Sequence, residues 1–349
     1  MKPKFTYFYI TVLFCLCMLT GCGGSNNLPH GAAMYYWKSE FKLDSIQRNF
    51  IADHNIKTLY IKFFDVSMQS SAPQPLATVS FADSLPSGVG YVPVVYITND
   101  CFNRPKPNLH RLILKRVHDM AATHDLPAPG EIQIDCDWTR STGANFFEFM
   151  DSLCVAAHAA DMRVSTTIRL HQLADTPPAA DYGVLMVYNT GSLTDNRCSN
   201  PILTKEAVEP YLKHLGNYKL PLVAAYPNFR WLALYAPGPE GHYEFRALLY
   251  GADPTNNPFM FQPAADGEWV AIRSFRMHTA IGAQQNTVLV VPGMKVRMYT
   301  PPTFETMQEI ESALARHNSD INRSVILFDI NSSNLNIFTK AEYDKIFNP

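Results

Sequence analysis

Apolar, strand-like runs alternate with helical stretches along almost the whole chain from residue 30 onward. A strand, a helix and a second strand in succession build a parallel sheet, so this alternation constrains the fold more than any single motif does. Eight strands are predicted, over residues 32–37, 58–66, 91–98, a run beginning at 130, and residues 163–170, 183–190, 220–226 and 324–330. Helices are predicted over residues 43–54, 109–124, 144–160, 204–215, 304–317 and 339–347.

Eight strands with interposed helices predict an α/β fold, the (β/α)₈ TIM barrel, whose functional residues lie at the carboxyl ends of the strands. A doubly wound sheet is the alternative, but no glycine-rich turn follows the first strand to mark a dinucleotide site. The pattern breaks over residues 231–300, where strand-like runs lie at 243–250, 269–277, 287–291 and 295–299. We therefore predict a barrel domain over residues 31–349, with a small β-rich insertion between strands 7 and 8.

The N-terminus has the parts of a secretion signal in their usual order. A short basic region precedes an apolar run over residues 5–18, and the tetrapeptide LTGC at 19–22 resembles a bacterial lipobox. We predict a lipoprotein signal peptide over residues 1–22, lipidation of Cys22, and a flexible tether over residues 23–30. The alternative is a plain secretory signal with an incidental cysteine. Lipidation would anchor the protein to a membrane of the cell envelope. The tether has no charged sorting signal, so the sequence does not specify which face of the membrane carries the anchor.

Charge and motif content exclude several classes of partner. Lys and Arg number 29 and Asp and Glu 31, and Lys2 and Lys4 leave with the signal, so the mature chain is slightly acidic and we expect no nucleic-acid partner. The histidines form no His-Glu-x-x-His or Cys/His set, and neither a phosphate loop nor a Gly-x-Ser-x-Gly motif occurs. We therefore expect no metal and no cofactor. Spacing specifies no disulfide among the remaining cysteines, which are Cys101, Cys136, Cys154 and Cys198.

The most informative stretch for function is residues 130–140, which read GEIQIDCDWTR. If it is a strand, alternate side chains share one face, so those of Gln133, Asp135, Asp137 and Thr139 point the same way. Two carboxylates on one face at the carboxyl end of a strand are costly to desolvate and raise one another's pKa. We predict that Asp135 and Asp137 form the centre of a functional cleft. A pair of structural acids at the barrel rim is the alternative.

The sequence DCDWT in this stretch resembles the end of barrel strand 4 in family-18 glycoside hydrolases, the chitinase-like enzymes. That strand ends Asp-x-Asp-x-Glu, often with Trp before the Glu. Asp135, Asp137 and Trp138 hold matching positions, whereas Thr139 stands in place of the catalytic Glu. Ile132 stands in place of the acid that opens the family's motif. The resemblance therefore implies the family's fold more strongly than its chemistry.

The ends of later strands extend the resemblance. Met186, Tyr188 and Asn189 match the family's Met-x-Tyr-Asp at strand 6, where the Met lines the cleft and the Tyr and Asp bind the reacting N-acetyl sugar. Tyr226 lies in a segment that resembles strand 7, from which an aromatic residue reaches the cleft. Arg169 ends strand 5, a productive position in barrels. Asp135, Met186-Val187-Tyr188 and Ala225-Tyr226 together are also similar to a bacterial family of barrel lipoproteins known only as a domain of unknown function.

Further residues have competing interpretations. Lys62 and Asp65, near the end of strand 2, are more readily a salt bridge on the rim than cleft residues. Arg169 and His171 are either cleft residues or a solvated surface pair. Phe328 is the aromatic residue nearest to the position where the family holds a Trp beneath the sugar.

The resemblance implies substrate-assisted chemistry, in which a Glu protonates the leaving oxygen and an Asp steadies the acetamido group. The Thr139 hydroxyl is too weak an acid for the first role. Three hypotheses remain: a glycan-acting enzyme in which Asp137 is the acid and Asp135 favours its protonated form; a glycan-binding protein without catalysis; and a scaffold lipoprotein. The predicted insertion over residues 231–300 also has two interpretations. Chitinase-like barrels often have an insertion between strands 7 and 8 that forms one wall of the cleft. An insertion without a function is equally compatible with the sequence, because long insertions cost little stability. No feature specifies an oligomeric state.

Overall fold

The computed structural model describes residues 28–195, 198–249, 254–279 and 287–349. The predicted signal peptide, the lipidation site Cys22 and most of the predicted tether lie outside these residues and stay predictions. In the part of the chain that is described, no helix is both long and apolar enough to cross a membrane.

Eight parallel strands close into a barrel. With strands numbered along the chain, they are β1 (Gly31–Tyr36), β3 (Thr58–Gln69), β6 (Gly90–Ile97), β7 (Glu131–Asp135), β8 (Arg163–Arg169), β9 (Tyr182–Met186), β10 (Leu222–Pro227) and β18 (Ser324–Phe328). Each pairs in parallel with the next, and β1 closes the ring by pairing with both β3 and β18. The (β/α)₈ TIM barrel predicted from the alternation of strands and helices is confirmed.

Helices surround the barrel in most of the predicted places. They are α1 (Ser45–Asp53), α2 (Leu109–Thr123), α3 (Gly143–His158), α4 (Lys205–Leu215), α5 (Phe304–His317) and α6 (Lys340–Phe347). Two connections, both fully within the described residues, have no α-helix. After β3 the chain forms the short strands β4 (Ala72–Leu76) and β5 (Ser80–Phe81), and β5 pairs with β2 (Glu40–Phe41). After β8 it forms a 3-10 helix, Leu170–Ala174.

Apolar faces and caps explain why the helices form where the periodicity predicts them. In α1, Phe50 is buried, while Asp44 and Gln47 form a capping box that satisfies backbone groups at the N-terminus. Thr339 and Glu342 form the same box before α6. The helices cover the sides of the barrel, so the loops at the carboxyl ends of the strands are left to build the site.

Residues 231–300 contain a β-rich insertion between β10 and α5. Its main sheet has the strand order β12-β11-β17-β14-β13, formed by β11 (Trp231–Pro237), β12 (Tyr243–Leu249), β13 (Phe261–Pro263), β14 (Glu268–Ala271) and β17 (Lys295–Tyr299). A second, two-stranded sheet pairs β15 (Phe275–His278) with β16 (Thr287–Val290). Leu234, Phe261, Val290 and Val296 belong to an apolar core that is separate from the core of the barrel.

Hydrogen-bonded side chains fill part of the barrel interior. The Tyr35 hydroxyl donates to Gln133 Oε1 at 2.6 Å, and the hydroxyls of Tyr60 and Tyr182 lie 2.8 Å apart. At the amino end of β7, Glu131 accepts a hydrogen bond from Tyr182, and burial raises the pKa of its carboxyl group. These partners satisfy polar groups that would be costly to bury alone.

Two strand boundaries differ from the prediction in ways that matter for the site. β7 ends at Asp135, so Asp137 and Thr139 lie beyond the strand and its alternation does not fix them on one face. β9 ends at Met186, which places Tyr188 in the loop that follows. Loop geometry, as well as strand geometry, therefore decides how these residues meet.

Candidate functional site

Three neighbouring strands place two acids and a phenol at the same height in the barrel mouth. Asp65 of β3 lies beside Tyr96 of β6 in the strand register, and Tyr96 lies beside Asp135, the last residue of β7. Burial raises the pKa of Asp65, while nearby Lys62 acts in the opposite direction. Burial also raises the pKa of Tyr96 to about 12, with further contributions from Asp137 and Asp135. The mouth is therefore a polar site with restricted access to water.

Arg169, the last residue of β8, bridges the two predicted acids. Its Nε donates to Asp137 Oδ1 in a short contact, and its Nη2 lies 3.4 Å from Asp135 Oδ1. Asp135 Oδ1 also accepts a hydrogen bond from Thr167 Oγ1 at 2.6 Å. The acids that the sequence pairs thus share one guanidinium group. We call Asp135, Asp137 and Arg169 the mouth triad.

The mouth triad contains two carboxyl groups and one cation. Burial raises the pKa of Asp135, an effect that Arg169 opposes and Asp137 reinforces. Burial disfavours the charge of Arg169, but Asp135 and Asp137 outweigh it and raise the arginine's pKa. Arg169 is therefore a permanent cation. The Asp137 side chain is 52% exposed, so it is the end of the triad that a ligand can reach.

A second set of contacts fixes the position of Arg169. Gln172, in the 3-10 helix after β8, accepts a hydrogen bond from the Arg169 backbone N–H at 2.8 Å. Its Nε2 donates to the carbonyl of Trp138 at 3.0 Å, which ties the loops after β7 and β8 together. The Trp138 indole packs against Phe146 and Phe147 of α3. Most of the Trp138 surface is thus used in packing, although the residue borders the pocket described next.

A pocket of about 390 Å³ opens beside the mouth triad. Its volume lies within the range of small-molecule sites. It is lined by residues after β7, by residues at and after the ends of β8 and β9, and by one residue of α4: Asp137, Trp138, Thr139, Arg169, Leu170, His171, Met186, Tyr188, Asn189, Thr190 and Tyr211. One cavity therefore joins Asp137 after β7, Arg169 at the end of β8 and the motif of Met186, Tyr188 and Asn189 at the end of β9. His171 is also a pocket residue.

The strand-6 motif forms a fixed part of the pocket. Tyr188 is buried, and its hydroxyl donates to Met186 Sδ at 2.9 Å. Its ring contacts those of Phe229 and Phe328. Burial raises the pKa of Tyr188, so the phenol stays protonated. Asn189 is exposed and has a φ of 56°, a left-handed conformation that Asn tolerates better than most residues.

Aromatic rings continue from the pocket across the mouth to the insertion. The Phe328 ring lies 5.5 Å from that of Trp37 and 5.9 Å from that of Phe229. The Phe229 ring lies 5.5 Å from that of Trp231, the first residue of β11. We call Trp37, Phe328, Phe229 and Trp231 the aromatic row. Because Trp37, Phe328 and Trp231 are only partly buried, the row offers apolar surface to a ligand.

Thr139 is exposed and lines the pocket at the position that the resemblance assigns to an acid. Its Oγ1 lies 2.9 Å from Ser141 Oγ and 3.2 Å from Thr142 Oγ1, and Asn99 Nδ2 lies 3.4 Å away. Hydroxyls and amides hydrogen-bond well, but they are poor proton donors at neutral pH. This corner of the pocket can bind a ligand and has no acid of its own.

Lys62 and Asp65 form an ion pair of 3.1 Å, but inside the mouth and not on an exposed rim. Their side chains are only 11% and 9% exposed, and Lys62 Nζ lies 5.6 Å from the centre of the Trp37 ring. The register shift between Lys62 and Phe64 in the β3–β6 pairing explains how residues three positions apart both face inward. The structure therefore corrects the rim interpretation.

The structure does not bring Tyr226 to this pocket. Tyr226 is fully buried, its hydroxyl donates to Asn322 Oδ1 at 2.7 Å, and it lies close enough to Glu311 of α5 to feel its charge. Side chains alternate along a strand, so Tyr226 faces the helix layer and its neighbours face the interior. The prediction that Tyr226 binds substrate is therefore corrected.

Several residues of the site were not predicted, among them Tyr96 and Tyr211. Tyr96 is the next-to-last residue of β6 and lies beside Asp135, and its place near the end of a barrel strand could have indicated a site residue. Tyr211 reaches the pocket from α4. Helical periodicity predicts which face of a helix is buried, but not which helix residue lines a pocket.

The pocket offers an ion-paired carboxylate, a guanidinium group, hydroxyls, an amide and aromatic rings. These groups suit a ligand that is rich in hydroxyl groups and has apolar faces. Within the described ranges, no three His, Cys, Asp or Glu side chains are grouped to hold a metal ion. Cys101, Cys136, Cys154 and Cys198 are unpaired.

Comparison with known proteins identifies the fold. No family model and no curated protein matches the chain. The C-terminal domain of a protein named as a chitinase, from Desulfitobacterium hafniense DCB-2, aligns over 92% of this chain and 100% of its own with a TM-score of 0.56 and 9% identity. The spore cortex-lytic enzyme SleL of Bacillus megaterium QM B1551 aligns over 91% of this chain and 73% of its own, with a TM-score of 0.53 and 11% identity.

A chitinase from Chromobacterium violaceum ATCC 12472 aligns over 92% of this chain and 100% of its own, with a TM-score of 0.51 and 12% identity. At such low identities the similarity concerns the fold and carries over no catalytic residue. The chain is therefore similar in fold to chitinase-like glycoside hydrolase barrels.

Proposed function

We propose that this protein binds a glycan in the pocket beside the mouth triad without cleaving it, and that it does so from a lipid anchor in the bacterial cell envelope. The chitinase-like barrel supports the choice of ligand class, since two of the similar structures are named for chitinases. The pocket lies at the carboxyl ends of the strands, where barrels hold their ligands.

The single observation that carries the proposal is the bridge from Arg169 to both Asp135 and Asp137. A general acid must hold a proton, whereas an adjacent guanidinium group favours the carboxylate. Asp137 Oδ1 is already engaged as the acceptor of a hydrogen bond from Arg169, and Thr139 supplies no acid. The same bridge suits binding, because charged donors and acceptors are already in position before the ligand arrives.

Six of the pocket residues then have a binding role. Asp137 accepts hydrogen bonds from sugar hydroxyls, and Arg169 holds it in place. Asn189 and Thr139 add neutral hydrogen bonds, while Tyr188 and Met186 form the apolar floor of the pocket.

A glycan-cleaving enzyme is the second candidate, because Asp137 is exposed in the pocket and has Asp135 nearby. In that case Asp137 would act as the acid, and the contact with Arg169 would have to break before each reaction. A scaffold lipoprotein would bind no glycan at all.

A panel of oligosaccharides, tested for binding and cleavage, separates these functions. We expect saturable binding and no product from the wild type. Thr139→Glu restores a carboxyl group at the position of the family's acid, with Thr139→Gln as the uncharged control. Weak hydrolysis of N-acetylhexosamine polymers by Thr139→Glu alone would support the assigned register. Product formed by the wild type but not by Asp137→Asn would instead establish the enzyme, and binding of no glycan would favour the scaffold.

The lipid anchor is the part of the proposal that rests on sequence alone. If Cys22 is lipidated, Cys22→Ala releases the protein to the aqueous phase in detergent partitioning or leaves its signal uncleaved. Cys198→Ala is the matched control and should partition as the wild type does. Unchanged partitioning of Cys22→Ala would refute the anchor.

A further inference from the structure

The geometry points to a second ligand surface on the insertion, which binds a carboxylate group of a glycan that extends from the pocket. This inference rests on the proposed function, since it names the class of glycan: long and acidic. The surface consists of Trp231, Tyr243, Glu268, Lys295 and Arg297, and we call it the insertion face.

The register of the insertion sheet places the charged residues together on one side. Residues directly opposite in an antiparallel pair share a face. Arg297 is opposite Glu268 on β14, and Lys295 is opposite Tyr235 on β11. Trp231 is opposite Tyr299, which lies two positions after Arg297 on the same strand, so Trp231 points to the same side as Arg297. On the other face, Leu234 and Val296 belong to the insertion's own apolar core, whereas Trp231 and Tyr243 on the charged side are half-buried against the barrel core.

Three charged side chains on this face form a fixed network, which we call the insertion triad. Glu268 Oε1 accepts from Arg297 Nε at 3.0 Å and from Arg297 Nη2, and Glu268 Oε2 lies 2.9 Å from Lys295 Nζ. Burial by itself would raise the pKa of Glu268, but Lys295 and Arg297 outweigh it and lower that pKa. Among the described residues, one carboxylate therefore faces two cations, and one positive charge is left uncompensated.

The uncompensated charge is accessible and held against aromatic rings. The side chains of Lys295 and Arg297 are 30% and 40% exposed, and Lys295 Nζ lies 4.3 Å from the centre of the Tyr243 ring. A ring face holds an ammonium group in place without neutralising its charge. The surface thus presents a prepositioned cation, which a carboxylate can bind with a charge-assisted hydrogen bond.

The insertion face is continuous with the pocket. The aromatic row runs from Trp37 in the mouth to Trp231 at the start of β11. The Tyr235 hydroxyl donates to the carbonyl of Leu193 at 3.3 Å, in the loop that also contains the pocket residue Asn189. A glycan that follows the row from the mouth would therefore reach the insertion face, and only a polymer of several sugars could contact both.

Paired ligands test the inference on the full chain: hyaluronan oligosaccharides, which carry a carboxylate on alternate sugars, and their uncharged methyl esters. We expect the wild type to bind the acid about three- to tenfold more tightly than the ester, the effect of one partly exposed charge contact. Lys295→Gln should abolish this preference, while the Arg297–Glu268 contact that it leaves in place keeps the sheet folded. High salt should weaken the preference as well.

Arg246→Gln is the matched control, because it removes one exposed cation of the same insertion, paired with Glu244, and should keep the preference. Equal binding of acid and ester by the wild type, or a preference that survives in Lys295→Gln, would overturn the inference. Binding of neutral N-acetylglucosamine oligomers without preference for the acid would overturn it while leaving the proposed function intact. Binding of no glycan would overturn both.

Discussion

The mouth triad and the insertion triad use the same side-chain chemistry in opposite proportions. In the barrel mouth, one guanidinium group contacts two carboxyl groups, those of Asp135 and Asp137. In the insertion, one carboxylate, Glu268, contacts the two cations Lys295 and Arg297. The partner in excess lies toward the exposed end of each triad. The two regions therefore favour opposite charges on a ligand that contacts both.

The triads also differ in how their most buried member is compensated. Asp135 is 4% exposed and has one cation partner, Arg169, together with the Thr167 hydroxyl. Glu268 is 8% exposed and has two cation partners. Because an uncompensated buried charge is costly, removal of one partner should matter more in the mouth than in the insertion.

Arg169→Met should have the largest effect. Among the described residues, it removes the only cation that contacts Asp135, so we expect a loss of about 3 kcal/mol in the free energy of unfolding, measured by chemical denaturation. The double variant Asp135→Asn/Arg169→Met should recover much of the loss, because no buried charge is then left alone. Wild-type stability of Arg169→Met would show that the triad is not a compensated unit.

Arg297→Met should have a smaller effect on stability, since Lys295 still contacts Glu268. We expect a loss of about 1 kcal/mol in the free energy of unfolding, given that the arginine is partly exposed. The same denaturation measurement applies. A loss as large as that of Arg169→Met would contradict the difference between the two triads.

Glu311 of α5 sharpens the comparison, because it is a buried carboxyl group whose Oε1 has no hydrogen-bond partner among the described residues. Burial raises its pKa from 4.5 to about 8. The folded protein therefore binds more protons than the unfolded chain between these values, and stability should fall as pH rises from about 4.5 to about 8. Glu311→Gln should remove this fall and stabilise the protein by roughly 1–3 kcal/mol above pH 8.

Below pH 4.5 the Glu311→Gln variant and the wild type should have similar stability, because the carboxyl group is then neutral in both the folded and unfolded states. Thermal denaturation as a function of pH measures the difference. A stability difference that does not change with pH would contradict the assignment.

Tyr226→Phe should have the smallest effect. It removes the hydrogen bond to Asn322, so we expect a loss of about 1 kcal/mol in the free energy of unfolding. Glycan affinity should not change, because Tyr226 faces the helix layer. If Tyr226→Phe lowered glycan affinity as much as a substitution in the pocket does, Tyr226 would have to be counted among the binding residues.

The order of the elements could be predicted because helices and strands have different periods in the sequence. The helix over residues 304–317 and the strand over residues 295–299 lie where they were predicted. Strand ends were less predictable, because apolar runs continue beyond the last ladder hydrogen bond. β9 ends at Met186, although the apolar run continues to Tyr188 and the predicted strand to residue 190. The predicted strand over residues 269–277 is two strands, β14 and β15.

Part of the candidate site could be predicted because barrel strands end at a common rim. This rule alone predicts that Asp137 and Tyr188 lie in one pocket, as they do. The bridge from Arg169 was not predictable, since it depends on the directions of three side chains, two at the ends of β7 and β8 and one in the loop after β7. Tyr226 lies in a run of apolar residues, which contains no polar alternation to show which face points inward.

The most direct test is a titration of the best ligand from the oligosaccharide panel into the wild type and Asp137→Asn, with mass spectrometry of the recovered glycan. We expect the wild type to return the glycan at its original length and Asp137→Asn to bind it about tenfold more weakly, since one charged hydrogen-bond acceptor is lost. Asp119→Asn, which removes an exposed carboxylate of α2, should bind as the wild type does. A shortened glycan from the wild type, or unchanged affinity in Asp137→Asn, would contradict binding without cleavage at the mouth triad.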